Sequence, residues 1–239
     1  MIMPADRRHR GYKKRKMTKK EREELMLEKL KVMKEFENEL HAKGVKYIGG
    51  VDEVGRGPLA GPVVAACVVL PEDFDVPGLD DSKKLTEKRR GEMMTVIHDN
   101  ALAWGLGMAD EKAIDRVNIL QATKEAMRIA IAQADKMLAE KTGGHLGHIL
   151  FDAMKIDDVE IPQTSLVKGD ARSVSIAAAS ILAKVTRDAM MVKFSEEYPW
   201  YGFEKNKGYG TKQHYEGIYA HGICPIHRRS FLKKVLGDE

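Results

Sequence analysis

Apolar residues in the first half of the chain come in short blocks that are bounded by Gly, Pro and Asp. Three blocks, at 45–51, 62–70 and 101–108, have the length and the Val, Leu and Ala content of buried strands. Between the last two, Thr86 is placed to open a helix that runs to about Asn100. The pattern therefore predicts two strands, a helix and a third strand.

The second half of the chain contains several residues that are suited to cap helices, which divide it into further elements. The predicted elements are a short helix from Asp110, a longer helix capped by Asn118 and reaching about Lys141, a strand at 148–151 ending at Asp152, an extended segment at 161–167, and helices at 173–194 and 211–221. This order predicts an α/β fold: a mixed sheet flanked by helices, with a C-terminal helical segment.

A basic N-terminal arm precedes these elements. Residues 1–17 are predicted to be disordered, and Thr18-Lys19-Lys20-Glu21 has the spacing of a capping box. The helix that it opens carries apolar residues at Met26, Leu30, Met33 and Leu40 and should end at Gly44. The arm can dock on the body or reach for nucleic acid; the apolar stripe favours docking.

Composition and charge support this division. The chain has 239 residues, 43% of them hydrophobic, which suits one large domain with an appendage. Residues 1–46 hold 15 Lys and Arg against 8 Asp and Glu, a net charge of +7, whereas the whole chain carries +4 and the remainder therefore −3. We predict an extension at 1–44 and a domain at 45–239. A basic arm suits an anionic polymer partner or a solvated tail.

Cysteine usage and hydropathy bear on the compartment. Cys67 and Cys224 form neither a disulfide pattern nor a metal-binding pattern, which favours a reducing environment. No stretch reaches the roughly 18 apolar residues of a membrane span, so we expect a cytoplasmic protein without a membrane partner. The clusters Arg7-Arg8-His9-Arg10 and Lys13-Lys14-Arg15-Lys16 would suit a nuclear address in another kind of cell.

Two adjacent carboxylates, Asp52 and Glu53, run directly into the turn Gly55-Arg56-Gly57 at the end of a predicted buried strand. Charged groups held there are costly unless a cation or hydrogen-bond donors compensate them. Mg²⁺ or Mn²⁺ is a suitable cation, because both prefer carboxylate oxygen. A dinucleotide site is a competing interpretation of the glycines, but their G-x-G-x-x-x-G spacing and the acids before them argue against it.

Asp152 ends another predicted strand, and Asp170 stands at the entrance to a helix. Together with Asp52 and Glu53 they would supply four carboxylates at one sheet edge, enough for two divalent ions about 4 Å apart. Neighbouring side chains on a regular strand point to opposite faces, so Asp52 and Glu53 should not share an ion unless the strand end twists. Asp170 is also a suitable helix cap and Asp152 a suitable turn residue.

Several longer motifs appear in the chain. They are Asp52-Glu53-Val54-Gly55-Arg56-Gly57-Pro58-Leu59-Ala60-Gly61-Pro62, Asp81-Ser82-Lys83-Lys84-Leu85, Phe151-Asp152-Ala153, Lys168-Gly169-Asp170, Ala177-Ala178-Ala179-Ser180-Ile181-Leu182-Ala183-Lys184-Val185-Thr186-Arg187-Asp188, Lys207-Gly208-Tyr209-Gly210-Thr211 and His227-Arg228-Arg229-Ser230-Phe231. Over about 45–232, in this order, the chain resembles bacterial ribonuclease HII. Arg56 with Pro58 favours type HII over type HIII, and Asn206 stands where the family often has His.

The resemblance implies an RNase H-like fold and metal-dependent cleavage of RNA in RNA/DNA hybrids. It also implies cleavage on the 5′ side of single ribonucleotides in duplex DNA, leaving 3′-OH and 5′-phosphate ends. By position it assigns Asp52, Glu53, Asp152 and Asp170 to a Mn²⁺ or Mg²⁺ site, Gly55, Arg56 and Gly57 to substrate binding, and Tyr209 to sensing the 2′-OH, the group that distinguishes RNA from DNA. Without it, Tyr209 would equally suit a lid over the core.

Lys83, Lys84, Lys168 and Arg172 are candidate phosphate contacts, although each would also suit a solvated surface position. The expected partners are RNA/DNA hybrids and ribonucleotide-containing duplex DNA, bound by a monomer. Two rival functions stay open at this point: a hybrid-binding protein without turnover, and another nuclease of the same fold, such as a junction resolvase.

Overall fold

A mixed five-stranded sheet forms the centre of the protein, and a computed structural model describes it together with the rest of residues 17–237. The strands are β1 (Ile48–Val54), β2 (Val63–Val69), β3 (Ala103–Ala109), β4 (His148–Asp152) and β5 (Gln163–Leu166). Their order across the sheet is β3-β2-β1-β4-β5. Strands β1, β2 and β3 pair antiparallel, whereas β1, β4 and β5 pair parallel.

Helices cover both faces of this sheet. They are α1 (Lys19–Met33), α2 (Glu35–Ala42), α3 (Glu87–Asn100), α4 (Glu111–Thr142), α5 (Val174–Glu197), α6 (Phe203–Asn206), α7 (Lys212–His221) and α8 (Lys233–Leu236). Apolar residues of α4 pack against one face, and those of α3 and α5 pack against the other. The short C-terminal helices surround a third apolar cluster. The predicted α/β fold, with a mixed sheet between helices, is confirmed.

The element boundaries differ slightly from the predicted ones, and the pairing explains the main difference. Strand β1 continues past Val51 to Val54 because its antiparallel partner β2 stays paired with it that far. The parallel pairing with β4 stops earlier, at Val51. The two helices predicted on either side of Asn118 are confirmed, because the range Glu111–Thr142 is interrupted at Asn118, whose main chain is not helical (φ 68°). Its side chain accepts hydrogen bonds from the main-chain N–H groups of the next turn, as a cap does.

Helix α5 lies unusually close to β1, and small residues make this possible. The segment Ala177–Ser180 is buried against the sheet. On the strand, a Cβ added at Gly50 would lie 2.1 Å from the carbonyl carbon of Ser175. The close crossing therefore depends on the absence of a side chain at Gly50.

The described part of the N-terminal arm docks on the body. Leu30 and Met33 are almost fully buried in the cluster that joins β2, α3 and α5. The Lys34 ammonium donates to the carbonyl oxygens of Glu72 and Phe74, both at 2.9 Å. Met26, which the stripe also included, stays exposed. The predicted disorder at 1–17 and the basic clusters lie almost wholly outside the described residues, and the division at 44/45 stays a prediction.

Within residues 17–237, none of the helices combines the length and the apolar character that crossing a membrane requires.

A glycine pair tests the close crossing of β1 and α5. Gly50→Ala should lower the free energy of unfolding by about 3 kcal/mol or more, because main chain rather than a flexible side chain blocks the new methyl group. Gly91→Ala is the matched control, since a Cβ at this position in α3 meets nothing within 4 Å. It should raise the stability by about 0.5–1 kcal/mol. Urea denaturation of both variants measures this, and equal effects would contradict the packing argument.

Candidate active site

Strand β1 carries the adjacent acids Asp52 and Glu53 just beyond the point where its parallel pairing with β4 ends. Asp52 is 7% exposed, and its Oδ1 accepts a hydrogen bond of 2.8 Å from the Glu53 N–H. Glu53 follows on the strand, so its side chain leaves on the opposite face, and its carboxylate lies 3.4 Å from the guanidinium of Arg56. The two acids therefore approach the same sheet edge from different sides.

Asp152 ends β4, the neighbour of β1, and its Oδ1 accepts a hydrogen bond of 2.7 Å from the Gly169 N–H. This bond ties the strand end to the short 3-10 helix Gly169–Ala171, which carries the largely buried Asp170 into α5. The Lys83 ammonium lies 3.8 Å from the Asp170 carboxylate. The structure thus brings all four predicted acids to one edge of the sheet.

The pKa values show how these acids interact. Burial and then the charge of Glu53 raise the pKa of Asp52 to about 8, against a smaller opposing effect of the Ser180 hydrogen bond. Burial likewise raises the pKa of Glu53, although Arg56 opposes it, and burial and Asp152 raise the pKa of Asp170. The charge of Asp152 contributes to all three shifts. Asp152 is therefore close enough to repel the charge of each of the other three acids.

The donor set fits a hard divalent cation. Glu53 Oε2 is buried, and within residues 17–237 it has no hydrogen-bond partner, which is costly for a carboxylate oxygen. Of the nearby cations, Arg56 lies 3.4 Å from the Glu53 carboxylate and Lys83 lies 3.8 Å from that of Asp170. The repulsion among the four acids is therefore left largely uncompensated. Across the described chain, no three acidic, His or Cys side chains are close enough to form a closed metal site as they stand.

The glycine turn after Glu53 is held by two arginines whose side chains are fully buried. Arg228 donates to the carbonyl oxygens of Gly55 (2.6 Å), Arg56 (3.0 Å) and Gly61 (2.7 and 2.9 Å). Arg187 donates to the carbonyl oxygens of Pro62 (2.9 Å), Ala60 (3.1 Å) and Lys207 (2.8 Å). Burial lowers the pKa of Arg187 to about 10 and that of Arg228 to about 9, so both stay charged at neutral pH.

Sequence reasoning missed the part played by these arginines. Both lie inside the motifs quoted for the family resemblance, but they bind carbonyl oxygens that are distant in sequence. Arg187 and Pro62 are 125 residues apart, and Arg228 and Gly55 are 173 residues apart. Ser180 also lies inside a quoted motif, and its hydroxyl lies 2.9 Å from that of Ser82 and favours the charged form of Asp52. For the two arginines, the available sequence signal is that each is a charged residue inside a motif.

Tyr209 lies over the glycine turn. A Cβ added at Gly57 would lie 3.5 Å from Cε1 of the tyrosine ring, so the ring stands about one methyl group's contact distance from the bare main chain of the turn. The Leu59 N–H donates to the Gly208 carbonyl at 2.8 Å, so the two loops are also joined directly. Tyr209 is 47% exposed and can contact a ligand. Asn206, where the family often has His, bonds the Gly208 N–H and the Tyr201 carbonyl and so shapes this loop.

The predicted basic residues separate into two groups. Lys83 and Lys168 stand beside the acids, with Lys168 at φ 58° immediately before Gly169. Lys84 instead lies 3.6 Å from Asp80 and 4.0 Å from Asp81. The Arg172 guanidinium lies 5.0 Å from the centre of the Phe36 ring in the N-terminal arm. Lys83 and Lys168 are therefore the better-placed cations.

Comparisons with known proteins show which family the chain resembles in sequence. A family profile described as Ribonuclease HII matches residues 49–234. The chain is 53% identical over 220 residues to the Ribonuclease HII of Bacillus mycoides (strain KBAB4), covering 92% of this chain and 80% of that one.

Two solved structures have a similar fold. The ribonuclease H2 of Pyrococcus horikoshii OT3 superimposes with a TM-score of 0.64 at 27% identity, over 79% of this chain and 96% of that one. A Bst-RNase HIII solved in complex with Mn²⁺ superimposes with a TM-score of 0.58 over 80% of this chain and 66% of that one. Its identity is 19%, so it supports the fold alone.

The raised pKa of Asp52 predicts a stability effect in the absence of metal. Because the pKa is higher in the folded protein (about 8) than its ordinary value of 3.8, the folded state holds a proton that the unfolded state releases between these values. Stability should therefore fall as the pH rises from about 4 to about 8. Asp52→Asn removes this loss and should be more stable than the parent at pH 8.5 by on the order of 2 kcal/mol, with little difference at pH 4.

Urea denaturation in EDTA at the two pH values measures the effect. Asp99→Asn, on the exposed side of α3, is the control and should show no such pH dependence. An Asp52→Asn protein that is equally destabilised at both pH values would argue against a buried, uncompensated charge.

Proposed function

The chain belongs to the ribonuclease HII family, and we propose that it cuts duplex DNA on the 5′ side of embedded ribonucleotides, leaving 3′-OH and 5′-phosphate ends. As a member of this family it is an endoribonuclease of the ribonuclease H type, acting on RNA/DNA hybrids. The observation that carries the finer proposal is the position of the acids directly beside a bare glycine turn and an exposed tyrosine.

Asp52, Glu53, Asp152 and Asp170 would together hold two divalent cations, which Asp52 and Glu53 would reach from different sides of β1, and both Mn²⁺ and Mg²⁺ suit these oxygen ligands. When bound, one such cation would activate water and a second would stabilise the negative charge that develops on the phosphate. The unbonded Oε2 of Glu53 and the raised pKa of Asp52 support this assignment.

Gly55, Arg56, Gly57 and Tyr209 would recognise the ribose. A side chain at position 57 would fill the space beneath the Tyr209 ring, so glycine leaves room for a sugar against the main chain. The tyrosine ring would stack on that sugar, and the surrounding polar groups would bond its 2′-OH. The buried arginines keep this turn in place, because they occupy its carbonyl oxygens from behind.

Lys83 and Lys168 would contact phosphates near the acids, and Lys84 and Arg172 would add positive charge at the edges of the same surface. Lys84 is already paired with acids and Arg172 with an aromatic ring, so we expect a smaller contribution from them. These contacts would set the affinity and its salt dependence rather than the choice of ribonucleotide.

We further propose that 45–239 is the catalytic domain, that 1–44 is an extension attached to it, and that the protein acts as a cytoplasmic monomer. Two buried, unpaired cysteine thiols are compatible with a reducing compartment.

A gel assay of a labelled duplex with one ribonucleotide tests the metal site. The parent should nick 5′ to the ribonucleotide with Mg²⁺ or Mn²⁺ and not with EDTA, and should leave an all-DNA duplex intact. Asp52→Asn should lower the rate at least about a hundredfold, because it removes a metal-binding charge. Fluorescence anisotropy should show that this variant keeps its affinity for the duplex, since little volume changes.

The other outcomes point to other functions. Tight binding without a nick under any metal condition would indicate a hybrid-binding protein. Cleavage of branched DNA that contains no ribonucleotide would indicate a junction resolvase. Near-normal cleavage by Asp52→Asn would remove Asp52 from the proposed metal site.

Tyr209→Ala tests the ribose contact. Loss of one stacking aromatic is worth about 1–3 kcal/mol, so kcat/KM at a single ribonucleotide should fall about tenfold or more. Tyr219→Ala is the control, because Tyr219 is a more exposed tyrosine on α7 at 74%. If the two variants cleaved equally well, ribose recognition would have to lie elsewhere.

A further inference from the structure

Two buried histidines lie directly behind Tyr209. His214, on α7, and His227, in the C-terminal segment, have their Nε2 atoms 2.9 Å apart. Their rings pack against Tyr201 and Phe203, with ring centres 4.8 Å apart for Tyr201–His227 and 5.2 Å apart for Phe203–His214. Neither histidine belongs to the acidic site or to the glycine turn.

The far end of each ring determines where its proton is. His214 Nδ1 lies 2.9 Å from the Tyr209 carbonyl oxygen, which can only accept, so this nitrogen carries the proton. His227 Nδ1 lies 2.9 Å from the main-chain N–H of Cys224, which can only donate, so this nitrogen is bare. A neutral His227 then carries its proton on Nε2, and a neutral His214 has a bare Nε2 to accept it.

At the Nε2–Nε2 contact, the protonated Nε2 of His227 can therefore donate to the bare Nε2 of His214. Hydrogen bonds run in one direction, from Cys224 N–H through His227 and His214 to the Tyr209 carbonyl. The Cys224 carbonyl, 3.2 Å from His227 Nδ1, already accepts from the His227 N–H at 3.0 Å and so does not need the ring. Burial lowers the pKa of both imidazoles, to about 4 for His227, which agrees with two neutral rings.

We propose that His214 and His227 are positioning residues, which fix the main chain of Tyr209 and thereby hold its ring over Gly57. This inference rests on the proposed role of Tyr209 in sensing the ribose. The tyrosine ring is 47% exposed, so main-chain anchors must determine its position. The Leu59 N–H holds the Gly208 carbonyl at 2.8 Å, and the Tyr209 carbonyl accepts from the Thr211 N–H at 2.8 Å and from His214 Nδ1 at 2.9 Å. Of these two donors to Tyr209, His214 is the one that a side-chain substitution can remove.

Two isosteres of His214 separate its two hydrogen bonds. In His214→Asn the amide nitrogen takes roughly the place of Nδ1 and can still donate to the Tyr209 carbonyl. In His214→Gln the longer side chain reaches toward His227 and leaves that carbonyl with the Thr211 N–H, at 2.8 Å, as its remaining donor. We expect His214→Gln to lower kcat/KM at a single ribonucleotide about tenfold, mainly through the loss of one buried hydrogen bond, and His214→Asn to restore most of this loss.

A double-mutant cycle shows whether the effect passes through the tyrosine. In a Tyr209→Ala background, His214→Gln should cause little further loss, because there is no ring left to position. Equal losses in the Asn and Gln variants, or a His214→Gln effect that persists without the Tyr209 ring, would overturn the proposal. Normal cleavage by Tyr209→Ala itself would instead disprove the proposed ribose contact. This outcome differs from the two that would overturn the role of the histidines.

Nitrogen NMR of the parent, labelled with ¹⁵N-histidine, tests the same proposal when a variant fails to fold. At neutral pH, His214 should show the Nδ1–H tautomer and His227 the Nε2–H tautomer, with assignment by single substitutions. Identical tautomers in the two rings, or a charged imidazolium in either one, would contradict the hydrogen-bond chain.

Discussion

The site depends on two buried guanidinium groups that bind main-chain carbonyl oxygens. Arg187 and Arg228 enter from α5 and from the C-terminal segment and meet at the turn that follows the acids. A loop of successive carbonyls buried together would be costly without donors, and the planar guanidinium supplies several donors at fixed angles. A glycine turn that is open on its ligand side therefore needs a charged scaffold on its other side. Lysine would not replace either arginine, because its three donors share one nitrogen, whereas the guanidinium spreads five donors over three nitrogens in a plane.

This scaffold also explains why the C-terminal segment belongs to the site. Arg228, His214 and His227 all come from beyond the sheet. Arg228 contacts the main chain of the glycine turn, His214 contacts that of Tyr209, and His227 contacts His214. The strands supply the carboxylates, while the C-terminal helices and loops hold the glycine turn and Tyr209. Charge and substrate contact thus come from different parts of the fold, and their relative position depends on how these parts pack.

The N-terminal arm has a comparable link to the other side of the site. Glu37 of α2 is buried, and its Oε1 accepts from the Ser173 hydroxyl at 2.6 Å and from the Ser175 N–H at 3.0 Å. Ser173 caps α5 three residues after Asp170. A carboxylate at this position satisfies the free N–H groups of the helix and interacts favourably with its dipole. The described part of the arm is therefore joined to the helix that carries one of the acids.

The sequence by itself determined the elements and their class, because the length of the apolar blocks and the caps at Thr18, Thr86 and Thr211 are local properties. It also singled out the acids, since Asp52 and Glu53 before a glycine turn are costly without a function. Only the tertiary structure decided what surrounds them. Arg228 and Gly55 are 173 residues apart, and His214 and His227 acquire a shared proton arrangement only when α7 packs against the C-terminal segment. Such contacts leave no periodic signal, because they depend on the packing of distant elements rather than on the neighbours of a residue along the chain.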